Sequence, residues 1–389
     1  MDQLRIGIVG VGVMGKLHAK FISEDQNKDF RLGAVCDIDR ARAEEIAGLW
    51  NVPAYTDAQA MFDSGRVDAV IVATPHYWHP VLTIRAARAR LHVLCEKPIA
   101  STVGPARSAV AECRKRRVAL GVMFQYRTRA TMIKMKQMVD GGELGDIFRV
   151  SMICSAWYRT QHYYNSGAWR GTWDGEGGGV LLNQAPHSLD LFQWIGGMPK
   201  GLIASVGTRI HKIEVENTAN VICHYGKGKT GYIYATTAEA PGADQLVVCG
   251  DKGTLVNEGG KLRLARLQMP ISEHLRTSRE GFGRPPMSDW QEVPIEGEPG
   301  GTHILVTRAF AAHVLGGTPM VGSGKEGLNE LEISNAVYLA GFKEKAVAFP
   351  VDAREMELLM DKLIRDRSTG RGGALRAKAN AELKKLLGK

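Results

Sequence analysis

Three glycines near the N-terminus have the spacing of a phosphate-binding turn. The sequence G-x-G-x-x-G, formed by Gly10, Gly12 and Gly15, follows the apolar run Leu4–Val9 and opens a helix-compatible stretch. Such a turn lets the backbone approach a pyrophosphate closely, while the free N–H groups and positive dipole end of the next helix bind its charge. Asp37, at the end of the next apolar run, stands where an acidic side chain accepts a hydrogen bond from an adenosine ribose 2′-hydroxyl. The pattern predicts a dinucleotide site, with a plain strand–turn–helix as the alternative.

The residues around this turn indicate which dinucleotide is bound. The carboxylate of Asp37 would repel a 2′-phosphate, which favours NAD over NADP. Arg40 lies nearby in the sequence and leaves NADP use possible. The predicted contacts to this part of the cofactor come from Gly10, Gly12, Val13, Met14, Gly15, Asp37, Ile38 and Arg40.

Two later apolar runs end in residues capable of acid–base chemistry. One is followed by residues 74–79, which include two histidines, and the next by Glu96-Lys97-Pro98. A lysine at the carboxyl end of a strand, beside a bound nicotinamide, would be desolvated and close to a positive charge, and both effects lower its pKa. Such a lysine could polarise a hydroxyl or carbonyl oxygen. Taken alone, the tripeptide fits a solvated surface lysine better.

The composition describes a globular protein of two domains. A chain of 389 residues exceeds one ordinary domain, and 44% hydrophobic with 23% charged residues argues against disorder. No apolar run approaches the roughly 20 residues that cross a bilayer, and the N-terminus begins directly with a strand, so we expect no membrane segment, no signal peptide and a cytoplasmic location. The six cysteines are scattered, without zinc spacing, and predict neither a disulfide nor a structural metal.

The positive charge is concentrated at the C-terminus. Of the formal net charge of +9, residues 354–389 contribute ten Lys/Arg and five Asp/Glu. Arg376, Lys378, Lys384 and Lys385 lie among Ala and Leu at helical spacing, which predicts a solvated helix face or an oligomer arm. Because no basic groove with interleaved aromatics accompanies the charge, we expect no nucleic-acid partner.

The order of apolar runs predicts two kinds of sheet. Up to about Phe124 they alternate with helix-like stretches, which is typical of a doubly wound parallel sheet, and we assign residues 1–125 to an α/β Rossmann domain. After Asp146, β-rich segments follow one another directly, which predicts a mostly antiparallel sheet in an α+β domain over residues 126–350. Residues 268–302 read as a long surface loop. The late helices 302–348 are expected to pack partly on the first domain, and residues 351–389 to form a basic helical tail.

Taken together, the motifs resemble the Gfo/Idh/MocA family of oxidoreductases. The resemblance covers roughly residues 4 to 350 and rests on the glycine turn, Thr74-Pro75-x-x-His79, Glu96-Lys97-Pro98, Trp169-Arg170, and Gly177-Gly178-Gly179 followed by His187-x-x-Asp190. It implies a Rossmann domain followed by an open-faced sheet domain, NAD(P)-dependent oxidation of a secondary alcohol on a sugar or cyclitol, and association through the open sheet as a homodimer or homotetramer.

The resemblance also implies roles for single residues. Lys97 matches the family's active-site lysine, and His187 matches the catalytic histidine that takes the hydroxyl proton as the hydride leaves for the nicotinamide. Further predicted cofactor contacts are Thr74, Pro75, His76, His79, Glu96, Lys97, Gln125, Trp169 and Arg170. The predicted substrate contacts are Lys97, Tyr126, Arg127, Tyr158, Asn183, His187 and His303.

The chain departs from the family pattern at two positions. Asn183 stands where many members have an aspartate, and a neutral amide can orient hydroxyls but cannot raise the basicity of a histidine by its charge. His76 stands where an asparagine is usual, so a contact between His76 and the nicotinamide or the substrate stays open. His76 and His79 fit loop caps on the following helix equally well. A metal site at these two histidines is disfavoured because the sequence places no third ligand.

These observations favour an NAD-dependent dehydrogenase of a sugar, sugar derivative or inositol. A second hypothesis is an NAD-dependent glycosidase that eliminates an aglycone from a transient 3-keto sugar. A third is a non-catalytic dinucleotide sensor, which the intact Lys97 and His187 disfavour. The aromatic stretch Trp157–Tyr164 would serve a carbohydrate face or the core equally well.

Overall fold

Six parallel strands form the first sheet, in the order β3-β2-β1-β4-β5-β6, in a computed structural model that describes residues 3–388. Strands of this kind read as continuous apolar runs because helices cover both faces of the sheet. The strand order changes direction between β1 and β4, so the loops after these two strands diverge and leave a crevice. The strands are β1 Leu4–Val9, β2 Phe30–Cys36, β3 Ala54–Tyr55, β4 Ala69–Val72, β5 His92–Cys95 and β6 Leu120–Val122.

Five helices connect these strands, as the alternating pattern predicts. Only β3 escaped the sequence analysis, because two residues are too short for an apolar run. The predicted fold class is therefore confirmed for this part of the chain. The helices are α1 Val13–Glu24, α2 Arg40–Trp50, α3 Ala58–Asp63, α4 His79–Arg88 and α5 Val103–Arg116.

Nine strands form the second sheet, in the order β14-β13-β12-β11-β7-β10-β9-β8-β15. Every neighbouring pair is antiparallel except β7 with β10, which confirms the predicted mostly antiparallel sheet. The strands are β7 Ile147–Cys154, β8 Gly201–Gly207, β9 Thr218–Gly226, β10 Lys229–Thr236, β11 Asp244–Gly250, β12 Gly253–Glu258, β13 Lys261–Arg266, β14 Gln291–Glu292 and β15 Val347–Ala348.

Helices cover one face of this sheet and leave the other open. On the open face, Ile203 pairs across the ladder with Ile222, and Ile222 with Tyr232, and all three side chains are exposed. Three helices lie between β6 and β8 in the chain, namely α6 Ala130–Asp140, α7 Gln161–Asn165 and α8 Pro186–Gly196. Residues 268–302, predicted as a long surface loop, contain the short helix α9 Ile271–Thr277 and the strand β14.

Four helices complete the chain and join the two sheets. The longest, α11, is capped by Ser323 and Glu326 and packs against β6 and α5 on one side and against β8 and α8 on the other. The sequence predicts breaks at Gly316-Gly317, Phe349-Pro350 and Gly370–Gly373, and these lie at the end of α10, between α11 and α12, and between α12 and α13. These helices are α10 His303–Gly316, α11 Gly324–Lys343, α12 Ala353–Arg367 and α13 Leu375–Leu387.

The C-terminal tail packs on the first sheet's helices. Ala379 and Leu383 of α13 are buried in one cluster with Tyr77, in the turn before α4, and Val81 of α4. The prediction of a solvated face is wrong for Arg376, which is buried. Its guanidinium bonds to Asp361 and, at 2.6 Å, to Glu357, because α13 folds back on α12. The other basic residues of α13 that we singled out, Lys378, Lys384 and Lys385, are exposed.

Residues 1, 2 and 389, which belong to the predicted first domain and tail, lie outside the described part of the chain. The domain boundaries at 125 and 350 stay predictions. Among residues 3–388, no helix has the length and apolar character needed to span a bilayer.

The packing of α13 on α4 can be tested by shortening one buried side chain. Leu383→Ala should lower the free energy of unfolding by about 2 kcal/mol, because it removes buried methyl groups and leaves a cavity. The exposed neighbouring Lys384→Ala should change it by less than about 0.5 kcal/mol. Denaturant unfolding of both variants measures the difference. Equal stabilities would show that α13 does not depend on this contact.

Candidate active site

The glycine turn leaves space and free donors where a pyrophosphate would lie. Gly10 has a φ of +87°, and a Cβ on Gly15 would lie 1.8 Å from the Gly10 carbonyl oxygen, so turn and helix approach too closely for side chains. By contrast, a Cβ on Gly12 would meet no atom within 4 Å. No side chain caps the N-terminus of α1, which begins at Val13. Its first N–H groups are therefore available to an anion.

Asp37 closes the crevice at the end of β2. One carboxylate oxygen accepts the Val11 N–H at 2.9 Å and the other the Asp39 N–H at 3.0 Å. Arg42, which the sequence analysis did not single out, donates to both Asp37 oxygens at 3.3 and 3.4 Å. Arg40 pairs instead with Glu44 at 3.5 Å. Asp37 thus braces the glycine turn at the end of β2.

Two apolar side chains border this crevice without being covered by protein. Val13 is 77% exposed and Ile38 is 94% exposed. Apolar surface next to a polar crevice fits the flat ring of an adenine. The residues of the crevice therefore fit an NAD molecule. The single contacts to NAD that we expect from Met14 and the neighbouring residues stay predictions.

His79 ties together the loops that follow β4 and β5. It is buried at the start of α4, and its ring nitrogens contact the Thr74 carbonyl and the Pro98 carbonyl, each at 2.7 Å. His76, in the short 3-10 turn before α4, is also buried, and its Nδ1 contacts the Glu176 carbonyl at 2.9 Å. Both histidines thus hold loops in place. The described residues contain no group of three or more side chains suited to a metal.

Lys97 is half-buried and reaches across to the second domain. Its Nζ donates to the backbone carbonyl of Asn183 at 2.8 Å. Burial lowers the pKa of Lys97, although the charges of Glu96, Glu330 and Glu176 partly oppose this effect. The sequence analysis likewise predicts a lowered pKa for Lys97. An ammonium group held in this way can donate a hydrogen bond to a hydroxyl or carbonyl oxygen and polarise it.

Glu96 stays ionised beside Lys97. Burial disfavours its charge, but the hydrogen bond and charge of His18, whose Nε2 lies 2.7 Å away, outweigh this and lower the pKa of Glu96 to about 2. His303, at the start of α10, packs edge-on against His18 with ring centroids 5.5 Å apart. His303 therefore lies behind Glu96, next to the predicted site, and is half-buried.

His187 lies in the first turn of α8 and is buried. Burial lowers its pKa well below the ordinary value, and the charge of Lys97 adds to the effect, so the imidazole is neutral. Its Nε2 lies 3.2 Å from the Gln125 amide nitrogen, and Tyr126 stacks on its ring at 4.5 Å. With Gln125 assigned as the donor, Nε2 is a proton acceptor.

An aromatic and basic cluster borders the other side of Lys97. Arg170 donates to the Tyr163 hydroxyl at 2.8 Å, and Arg159 lies over the Tyr163 ring at 4.9 Å. Trp169 approaches His76 edge-on at 6.3 Å. Tyr158 is 45% exposed on the same segment. This part of the predicted site thus comes together in three dimensions.

Arg127 is a correction to the predicted substrate contacts. Its guanidinium forms two hydrogen bonds with Asp190, at 2.6 and 2.7 Å, and also bonds to Glu326. Only 1% of its side chain is exposed. Each nitrogen of the guanidinium bonds to protein, as a buried charge requires. Arg127 therefore joins α8 to α11 and does not reach a substrate.

Besides Arg42, two residues of the site escaped the sequence analysis. Glu176 is buried, and its carboxylate bonds to the side-chain amide of Asn183. Tyr163 was noted only as an aromatic; its hydroxyl lies 3.2 Å from the amide nitrogens of both Asn183 and Gln184. The one available signal for Glu176 in the sequence was its position directly before three glycines. This spacing does not indicate that Glu176 bonds to Asn183.

Comparisons with known proteins agree with this geometry. Residues 4–124 match the model of an oxidoreductase family with an NAD-binding Rossmann fold, and residues 132–256 match the GFO/IDH/MocA C-terminal domain. The inositol 2-dehydrogenase of Rhizobium meliloti (strain 1021) is 27% identical over 339 residues, 86% of this chain and 95% of that protein. The D-glucoside 3-dehydrogenase of Escherichia coli (strain K12) is 31% identical over 202 residues, 51% of this chain and 55% of that protein.

Solved structures show the same fold. The WlbA dehydrogenase from Bordetella pertussis, in complex with NADH and UDP-GlcNAcA, superposes with a TM-score of 0.75 at 26% identity and covers 90% of this chain and 100% of its own. The two family matches together span well over half of the sequence, and they include the first sheet and the part of the second from β7 into β12. With its glycine turn, Asp37 and the two sheets in the order described, the chain belongs to the Gfo/Idh/MocA family of NAD-binding oxidoreductases.

Proposed function

We propose that the protein is an NAD-dependent dehydrogenase that transfers a hydride between nicotinamide and a secondary hydroxyl or keto carbon of a sugar, sugar derivative or inositol. One observation carries the proposal. Lys97 Nζ bonds at 2.8 Å to the backbone carbonyl of Asn183, four residues before His187, and His187 Nε2 lies 3.2 Å from the Gln125 amide nitrogen. A cation and a neutral base beside the cofactor crevice are the groups that alcohol oxidation needs.

The relatives support the substrate class. They include an inositol 2-dehydrogenase and a D-glucoside 3-dehydrogenase, and the WlbA dehydrogenase was solved with a nucleotide sugar. Each of these names describes a ring compound with secondary hydroxyls. Tyr158, Tyr163 and Asn183 offer the aromatic surface and polar tips that such a ring would contact.

The residues of the site would have the following roles in the reaction. NAD, held by the glycine turn and Asp37, supplies the hydride acceptor. Lys97 donates a hydrogen bond to the substrate oxygen, which makes loss of its proton easier. His187 accepts that proton at Nε2, and Gln125, now 3.2 Å from this atom, gives up its place to the hydroxyl. Burial keeps His187 neutral at the start of this step.

We further propose that copies of the chain associate through the open face of the second sheet as a homodimer or homotetramer. The exposed side chains of Ile203, Ile222 and Tyr232 form a row across three strands. A row of apolar side chains on a flat sheet face is typical of an interface.

The fate of the hydride tests the proposed function and separates it from a glycosidase. With excess NAD and a panel of inositols, methyl glycosides and nucleotide sugars, a dehydrogenase should accumulate NADH in equal amount to oxidised product. A glycosidase would release nitrophenol from a nitrophenyl glycoside at substoichiometric NAD without a net rise in NADH absorbance. That second outcome would overturn the proposal, as would the absence of any oxidised product.

The roles of Lys97 and His187 predict how their variants behave. Lys97→Ala and His187→Ala should each lower kcat by about a hundredfold or more, the range for removing a positioned proton-transfer or electrostatic group. NAD affinity, measured by calorimetry, should stay within a few fold because neither residue contacts the glycine turn. Full activity of His187→Ala would assign the base to another group, with Tyr126 and Tyr158 the next candidates.

Asp37 predicts the choice between NAD and NADP. NAD should bind at least tenfold more tightly, since a charge-assisted hydrogen bond and repulsion of the 2′-phosphate together exceed about 1.4 kcal/mol. Asp37→Ser should remove most of this difference and leave Arg42 free to contact the phosphate. Arg66→Ala is the control and should leave the preference unchanged, because Arg66 is exposed in the loop before β4, at the opposite edge of the sheet from Asp37. Equal affinities in the unmodified protein would contradict the assignment.

A further inference from the structure

Glu176 is a buried carboxylate that the mechanism above does not use. Only 2% of it is exposed. One oxygen accepts the Gly171 N–H at 2.7 Å, and the other accepts the side-chain amide N–H of Asn183. Its backbone carbonyl contacts His76 at 2.9 Å. The residue thus touches three parts of the site without facing solvent.

Asn183 connects Glu176 to Lys97. Its backbone carbonyl accepts from Lys97 Nζ at 2.8 Å, and its side-chain nitrogen donates both to Glu176 and to the Tyr163 hydroxyl at 3.2 Å. Among residues 3–388, no hydrogen-bond partner is found for the side-chain oxygen of Asn183. An ionised carboxylate can only accept, so it fixes which end of the amide points toward it. The amide oxygen is left as an acceptor for a substrate hydroxyl.

We propose that Glu176 is a positioning residue of the dehydrogenase: its carboxylate holds the Asn183 amide with the oxygen toward the substrate and supplies, from a neighbouring loop, the negative charge that this chain lacks at position 183. The inference rests on the proposed function for its effect on turnover. The hydrogen bonds themselves do not depend on it.

The protonation of Glu176 makes this arrangement dependent on pH. Burial raises the pKa of Glu176 to about 7, although the bonds from Gly171 and Asn183 and the charges of Arg170 and Lys97 oppose the shift. Above this pH the carboxylate is ionised and accepts from the amide. Below it the protonated acid can donate to the amide oxygen, so the fixed orientation is lost. The titratable and charged groups near Glu176 are His76, Lys97, Tyr163, Tyr164, Arg170 and Tyr338.

Replacing the carboxylate by an amide creates a conflict that the structure defines. Two donors, the Gly171 N–H and the Asn183 amide, meet the two oxygens of Glu176. In Glu176→Gln, one of these donors would face an NH₂ group. The Gly171 N–H belongs to the backbone and cannot turn away, so the glutamine oxygen would face it and the NH₂ group would face Asn183. The Asn183 amide would then turn over and present a donor to the substrate in place of an acceptor.

Glu216 provides a matched control. It is also buried, and burial raises its pKa to about 7. Its carboxylate accepts from the backbone of Gly179 and Leu181 and from the Tyr338 hydroxyl at 3.0 Å. It has no bond to Asn183, so Glu216→Gln tests the loss of a buried carboxylate without the loss of the amide contact.

The first experiment measures the amide directly and needs no substrate. With selective 15N labelling of asparagine, the Asn183 side-chain resonance, identified by its absence in Asn183→Asp, should shift with pH with a midpoint near 7. The shift should persist in Glu216→Gln and vanish in Glu176→Gln. An Asn183 resonance at the same position in the unmodified protein and in Glu176→Gln at pH 8 would overturn the proposal, whatever the substrate proves to be.

The second experiment uses turnover. Glu176→Gln should lower kcat at least tenfold and remove the rise in kcat through pH 7, while Glu216→Gln keeps that rise. Asn183→Asp alone places two carboxyl groups next to each other, so the rise in kcat should occur at a higher pH. The double variant Asn183→Asp with Glu176→Gln restores one carboxylate and one donor and should exceed both single variants. Identical pH profiles for Glu176→Gln and Glu216→Gln would contradict the positioning role.

Discussion

Buried polar groups that meet between the two domains are the constraint on which the site depends. Lys97 bonds to the Asn183 carbonyl, His76 to the Glu176 carbonyl, and the Tyr77 hydroxyl to the Trp173 carbonyl at 2.7 Å. Each of these groups would be costly to bury without a partner. The loops after β4 and β5 and the loop before α8 must therefore dock in one arrangement, and this docking sets the distance between the lysine and the histidine.

The same burial separates the ionisation of two nearby carboxylates. Glu96 has an imidazole as its partner, and its pKa falls to about 2, whereas Glu176 has only amide donors in contact, and its pKa rises to about 7. One carboxylate thus provides a fixed charge beside Lys97, and the other can titrate in the neutral range. Environments that drive the pKa values of similar groups apart are typical of active sites.

The C-terminal helices support this arrangement from outside. Tyr77, whose hydroxyl reaches Trp173, is packed in the cluster that α13 completes with Ala379 and Leu383. The longer helix α11 lies between the two sheets, and its Glu326 contributes to the buried charges around Arg127. The tail is therefore part of the packing that holds the loop of His76 and His79, in addition to being a carrier of positive charge.

The sequence by itself determined the features that depend on local spacing. The glycine turn, the acidic residue after β2, the alternation of strand and helix and the breaks between the late helices are all visible in it, because each reflects backbone geometry or burial over a few residues. Lys97 was visible as a lysine at the end of an apolar run, whereas its role and the choice of His187 came from the family resemblance. The tertiary structure alone decided which side chains meet: Glu176 with Asn183, Arg42 with Asp37, and Arg127 with Asp190 rather than with a substrate. Such partners, some lying more than 60 residues apart as Arg127 and Asp190 do, are chosen by how the loops pack, and no pattern along the chain encodes them.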